Sequence, residues 1–158
     1  MENFTVKIVS LADIFDLRYR ILRADKPKSS AIFEGDYEVF TLHFALYKEE
    51  DGVAVGEPLS CATFIFHPVH VVKGDAYRLR GMATHEDWQG KGLGKMLIDY
   101  AEDYIVKNMG VKRFWCTARS GGAVKFYHEK VGWRAISDEF EIKGVGPHHY
   151  MMKEVART

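Results

Sequence analysis

Apolar residues recur along this chain in two rhythms. Between positions 93 and 105 they fall at Leu93, Met96, Leu97, Tyr100, Ala101, Tyr104 and Ile105, the i, i+3, i+4, i+7 spacing of a helix that buries one face. Asp103 and Lys107 sit one turn apart on its polar side, and Gly110 stands where a left-handed C-terminal cap is expected. The segment Phe4-Thr5-Val6-Lys7-Ile8 instead alternates apolar with polar, as a half-buried strand does. The same reasoning predicts a strand over Thr5 to Val9, a helix over Leu11 to Leu22, and a loop or short helix from Pro27 to Tyr37. Strands are expected over Thr41 to Tyr47, Leu59 to Phe66, Tyr77 to Ala83, Val111 to Thr117, Trp133 to Phe140 and His148 to Lys153. These elements predict an α/β fold of the α+β kind, a mixed and largely antiparallel central sheet flanked by helices.

The pattern contains no internal repeat, low-complexity segment or linker that divides it, so residues 1–158 are expected to form a single domain. A chain of this length buries roughly 70% of its unfolded surface, and 47% of its residues are hydrophobic. The 22 basic and 22 acidic residues cancel, which leaves no electrostatic footprint for nucleic acid or an anionic membrane. Cys61 and Cys116 each lie in an apolar run and read as free buried thiols. No stretch is apolar enough to span a membrane or act as a signal peptide, and a cytoplasmic location is expected.

Candidate chemistry centres on Gln89-Gly90-Lys91-Gly92-Leu93-Gly94-Lys95, between the strand ending near Ala83 and the helix opening at Leu93. A glycine-rich turn that opens a helix leaves backbone N–H groups unpaired at the positive end of the macrodipole, with no side chains to hinder approach. That is an anion site suited to phosphate. A magnesium-binding P-loop is excluded, because aligning its Gly-Lys on Gly94-Lys95 puts Gln89 at the first glycine and Met96 at the hydroxyl position. The dinucleotide pattern G-x-G-x-x-G fails too, since it requires glycine at Lys95 or at Leu97.

What fits is Gln-x-x-Gly-x-Gly, read as Gln89, Gly92 and Gly94, followed downstream by Ala123-x-x-Phe126-Tyr127-x-x-Lys130-x-Gly132-Trp133. With both segments in this order the chain resembles the GNAT superfamily of acyl-CoA-dependent N-acetyltransferases. The resemblance runs from about Leu17 to Lys153 and is densest between Leu79 and Trp133. Leu22-Arg23, Phe33-Glu34-Gly35-Asp36 and Gly146-Pro147-His148 also look like segments of a bacterial branch whose substrates are poorly defined.

The resemblance implies a helix beginning near Ala123 and acetyl-CoA as co-substrate. Gln89, Gly90, Lys91, Gly92, Leu93, Gly94 and Lys95 would wrap its pyrophosphate, and backbone groups of Met82, Ala83 and Thr84 would bond the pantetheine arm. Tyr127 falls at the family's acid position. Ser120 stands where the family commonly has an asparagine that contacts the cofactor arm, and it offers a shorter reach and a single hydroxyl donor. Arg119 beside it is suited to a phosphate, an acidic substrate or a surface ion pair.

Acyl transfer from a thioester to an amine needs a donor for the oxyanion, an acid near sulfur and a base for the amine. Glu34, Asp36, His67, His70, His85, Glu86, His148 and His149 are all chemically capable bases, and spacing does not choose among them. Asp36 and His148 are favoured because their loops resemble those bordering the family's acceptor cleft. No metal site is expected: His85-Glu86-Asp87-Trp88-Gln89 ends one residue short of a zinc-protease motif, and His148 and His149 alternate across a strand. The expectation is direct acetyl transfer in a ternary complex to the primary amine of a small molecule or peptide. The competing reading is a non-catalytic module that binds or senses CoA. Acceptor identity, acyl length and oligomeric state are left open, although homodimers are common in the superfamily.

Overall fold

The computed structural model of the chain describes residues 2–68 and 74–156. In chain order the elements are β1 (Asn3–Val9), α1 (Leu11–Leu22), a one-turn 3-10 helix (Lys28–Ala31), β2 (Leu42–Glu50), β3 (Val53–Phe66) and β4 (Tyr77–Thr84). A second 3-10 turn (Glu86–Trp88) leads into α2 (Leu93–Met109), followed by β5 (Arg113–Arg119), α3 (Gly122–Glu129), β6 (Arg134–Ala135), β7 (Phe140–Ile142) and β8 (Gly146–Glu154). This is the expected mixed, mostly antiparallel sheet, with eight strands among the described residues, accompanied by helices. No helix among the described residues is long and apolar enough to cross a membrane.

Two compact units share the chain, one from Met1–Ile65 with Leu79–Ala101, the other from Phe66–Arg78 with Glu102–Thr158. In the first, β1 pairs antiparallel with β2, β2 with β3, and β3 is followed in the sheet by β4. Leu11, Ile14 and Leu17 of α1 pack with Ala45, Cys61 and Ala83, and Phe44 meets Phe64 edge-on at 5.7 Å. Ser10 and Asp13 form a reciprocal capping box that fixes where α1 begins.

In the second unit the start of β4 pairs parallel with β5, β5 pairs antiparallel with β8, and β8 pairs with both β6 and β7. Its core holds Phe114, Ile105 and the fully buried Trp133. The Trp133 indole donates to the buried Glu102 carboxylate at 2.8 Å, and Lys153 pairs with Glu102 at 2.7 Å, so neither the indole nor the carboxylate is left unsatisfied.

Two strands depart from the sequence expectation. β3 begins at Val53 rather than Leu59, because Asp51 and Gly52 both take left-handed φ angles (52° and 78°) and close a tight hairpin at Glu50↔Val53. Gly56 and Pro58 then bulge out opposite Tyr47 before regular pairing resumes at Ser60, which made this stretch read as loop. The run Trp133 to Phe140 is not one strand but β6 and β7. Ser137 interrupts it: its hydroxyl accepts the Tyr150 N–H at 3.0 Å, replacing a ladder bond with a local side-chain bond.

Candidate functional site

The glycine loop lies in the first unit and is held from both ends. Gln89 donates its side-chain amide to the Thr84 carbonyl at 3.0 Å, closing the turn that links β4 to α2. Gly90 and Gly92 adopt φ angles of 75° and 82°, which favour glycine, and open space surrounds the position of a Cβ at each. The Gly92 carbonyl accepts the first helical bond, from Met96 at 3.1 Å, so the leading N–H groups of the 17-residue α2 have no intrahelical acceptor. Leu93 anchors the helix start in the core at 2% exposure. A bare, positively polarised backbone cradle therefore stands at the head of α2.

The neighbouring side chains are mostly engaged within the protein. Lys95 pairs with Asp99 one turn along the helix, and the Lys91 ammonium lies 5.2 Å from the Trp88 ring, on which Lys48 also stacks at 5.4 Å. Ser60 of β3 donates to the Ala83 carbonyl of β4 and shares a hydrogen bond with the Thr84 hydroxyl. Ala83 is buried whereas Met82 and Thr84 are half-buried.

Ser120 and Tyr127 lie in the second unit. Ser120 opens the β5-to-α3 turn, its N–H bonded to the Pro147 carbonyl and its hydroxyl 3.1 Å from His149 Nδ1. Tyr127 projects from α3 with its ring centroid 5.2 Å from Trp133 and 5.3 Å from Phe126. Its hydroxyl shares a hydrogen bond with the Cys116 thiol. Burial pushes the phenol well above its usual range, with the Cys116 thiol adding to the rise, and burial pushes that thiol up as well. Tyr127 thus stays a neutral O–H donor over the physiological range.

The candidate bases separate by their bonding. Asp36 is 3% exposed, and both its oxygens take hydrogen bonds from Arg18, at 2.7 and 3.0 Å, with a third from the Phe33 N–H at 2.6 Å. This carboxylate is a structural anchor whose lone pairs are committed. His148, 7% exposed, bonds the Gly146 carbonyl through Nδ1 at 2.8 Å, which fixes Nδ1 as donor and leaves Nε2 the basic nitrogen. Glu86 is ion-paired with Arg20, whose hydrogen bond lowers its pKa. His85 Nδ1 accepts the Asp87 N–H. His149 is occupied by Ser120, and Glu34 is exposed. The His67 ring stacks edge-on against Trp115, and His70 lies outside the described residues.

Sequence reasoning passed over a basic cluster on Phe33, built from Arg18, Arg23 and Arg80. One signal was available. Arg18 falls seven residues after Leu11 and four after Ile14, on the apolar stripe of α1, and a buried guanidinium requires a carboxylate partner.

The model for the Acetyltransferase (GNAT) family matches residues 8–133. The chain belongs to that family. It is 33% identical over 150 residues to the uncharacterized N-acetyltransferase YitI of Bacillus subtilis (strain 168), covering 94% of each chain. Its fold is similar to that of the ribosomal-protein-S18-alanine N-acetyltransferase from Escherichia coli, with a TM-score of 0.71, 18% identity and coverage of 99% of this chain and 96% of that one. A likeness of the same kind, TM-score 0.70 at 13% identity over 98% and 99% of the two chains, links it to the NatC complex bound to Gag peptide and CoA. As a GNAT domain the chain carries an acyltransferase scaffold, and the loop Gln89 to Gly94 and the segment Ala123 to Trp133 both fall within the matched residues.

Proposed function

We propose that the protein transfers an acetyl group from acetyl-CoA directly to a primary amine of a small molecule or peptide in a ternary complex, acting in the cytoplasm. The observation that carries this reading is the open backbone cradle formed by Gly90 and Gly92 at the head of α2. A pyrophosphate fits it chemically: the leading N–H groups of α2 have no intrahelical acceptor, the glycines leave the approach clear, and the dipole favours negative charge. The backbone of Met82, Ala83 and Thr84 then takes the pantetheine arm, and Lys91 and Lys95 add diffuse positive charge. Tyr127 donates a hydrogen bond to the departing thiolate, Ser120 contacts the arm through its hydroxyl, and His148 offers Nε2 as base.

Acetyl-CoA at one hundred times its dissociation constant should add about 2.7 kcal/mol of stability, a rise in melting temperature of roughly 5–10 °C. NAD and ATP should shift it far less. Equal shifts with all three ligands would remove the case for a CoA loop.

Gly92→Asp should weaken CoA binding by at least about tenfold, because its carboxylate would stand among the N–H groups that receive pyrophosphate. Gly92 has φ of 82°, so any side chain there adds strain of roughly 1–2 kcal/mol. Gly92→Asn carries the same strain without the charge and is the matched control. Calorimetry showing equal CoA affinity in the two variants would mean that the phosphates bind elsewhere.

A further inference from the structure

At His148 an aromatic ring, a base and a guanidinium stand in one row across three strands. His148 pairs with Phe140 of β7 on one side and with Arg119 of β5 on the other. Residues directly opposite in an antiparallel pair share a face, with Cβ atoms about 4.5–5.5 Å apart, so the row is about 10 Å wide. The next residues along the strands bear out this facing. His149 meets Ser120, and Cys116 meets Tyr127 of α3, on the other face of β5 and β8. Helix α3 packs there and leaves the His148 row on the opposite side.

Each member of the row offers a different chemistry. His148 donates Nδ1–H to the Gly146 carbonyl, so Nε2 carries the lone pair. Arg119 is exposed, donates through Nη2 to the Val145 carbonyl at 2.9 Å, and has no carboxylate partner among the described residues. That bond ties the guanidinium to the turn between β7 and β8 and leaves most of its donor fork uncommitted. Phe140 is half-buried, its ring centroid 6.4 Å from that of His148 and 4.7 Å from that of Tyr150, which in turn lies 6.0 Å from Trp115. The row thus runs from an apolar wall, through a basic nitrogen, to a cation.

We propose that this row is the acceptor site and that the acceptor is a free α-amino acid with an apolar side chain, its carboxylate on Arg119, its amine at His148 Nε2 and its side chain on Phe140. An α-amino acid sends those three groups out from one carbon, which matches three adjacent positions of the row. The guanidinium fork takes a carboxylate in a bidentate pair. A peptide N-terminus carries an amide in place of that carboxylate and gains nothing from Arg119. The inference rests on the acyl-transfer reading for the reaction, and on the row alone for what is bound. In that reaction the ammonium gives one proton to His148 Nε2, nitrogen bonds to the acyl carbon as the carbon–sulfur bond breaks, and the second proton lost from nitrogen leaves on the thiol. The products are an N-acyl amino acid and free CoA. Tyr127 reaches β5 from the opposite face, so the amine and the leaving sulfur are served from different sides.

Calorimetric titration with L-leucine, L-leucinamide and glycine reads the site without turnover. L-leucine should bind about tenfold or more tightly than L-leucinamide, the ratio expected when a carboxylate accepts hydrogen bonds from a cation. Its margin over glycine should also be about tenfold or more, the worth of taking an apolar side chain out of water. Arg119→Gln should erase the first ratio, Arg119→Lys should restore part of it, and Phe140→Ala should erase most of the second, with CoA affinity unchanged in all three. His148→Gln should keep both ratios and lose turnover. Thiol release from acetyl-CoA should follow the same order of amines, with the gain from the carboxylate in KM. Equal binding of L-leucine and L-leucinamide, a preference for the acid that survives in Arg119→Gln, or tighter binding of the dipeptide L-leucyl-L-alanine than of L-leucine would overturn the proposal. A protein that keeps the binding order yet releases no thiol with any of these amines would instead overturn the acyl-transfer reading and keep the amino-acid site.

Discussion

Arg18→Met should lower the stability of the protein by about 3–5 kcal/mol, the penalty for leaving one partner of a buried ion pair without the other. For a chain of this size that is on the order of 10 °C in melting temperature. Arg18 and Asp36 are both fully buried at the side chain and pair at 2.7 Å. The guanidinium also donates to the Ala31 carbonyl at 2.9 Å and to the Thr63 hydroxyl at 2.6 Å, so its loss unties three segments at once: the 3-10 turn, the loop after it, and β3. Thr63 in turn bonds His43 Nδ1 at 2.8 Å, and with His43 Nε2 donating to the Asp36 carbonyl the ring is fixed in one tautomer. Burial lowers the His43 pKa, which keeps that tautomer neutral. Asp36→Asn on top of Arg18→Met should recover part of the loss, because it removes the stranded charge. Strict additivity of the two changes in a double-mutant cycle would show that they do not act as a pair.

The same network marks the border between what the sequence disclosed and what it did not. Periodicity located α1 to the residue and α2 at its start, since each has one apolar stripe long enough to dominate its window. The glycine loop was legible because backbone exposure needs glycine, and glycine is visible in a sequence. Asp36 was expected among the acceptor-cleft groups, yet its carboxylate is consumed by Arg18, eighteen residues earlier, a pairing no local pattern contains. The cluster on Phe33 was hidden for the same reason. Arg18, Arg23, Phe33 and Arg80 come from α1, the loops beyond it and β4, and only the packing of β4 against α1 and that loop assembles them. Gly81 carried a faint clue, as an isolated glycine inside an apolar strand signals close approach by another group. The break at Ser137 was equally obscure, because a serine in a strand pattern becomes a breaker only when a partner N–H lies within reach.

Tyr127→Phe should reduce kcat by roughly 10²-fold or more while leaving CoA affinity nearly unchanged, because it deletes one hydroxyl and keeps the ring. The ring's work is packing against Trp133 and Phe126, and phenylalanine preserves it. The stability cost should stay within about 1 kcal/mol, the worth of the single bond to the Cys116 thiol. A phenol titrates near 10 and a thiol near 8.5, so full proton transfer to a thiolate is already uphill by about 2 kcal/mol. Burial raises the Tyr127 phenol further, which makes outright transfer still less favourable and points to a hydrogen bond that strengthens as the carbon–sulfur bond breaks. Two consequences follow from that assignment. The penalty of Tyr127→Phe should shrink with an acyl donor whose thiol is more acidic, since such a leaving group needs less stabilisation. The pH–rate profile should show no fall from ionisation of Tyr127 below pH about 10, because the group remains a protonated donor until its raised pKa is reached. A wild-type protein that binds CoA yet releases no thiol with any amine would support the non-catalytic module. Turnover in Tyr127→Phe equal to wild type, measured where chemistry limits the rate, would falsify the acid assignment and return the hydroxyl to a packing role with Cys116.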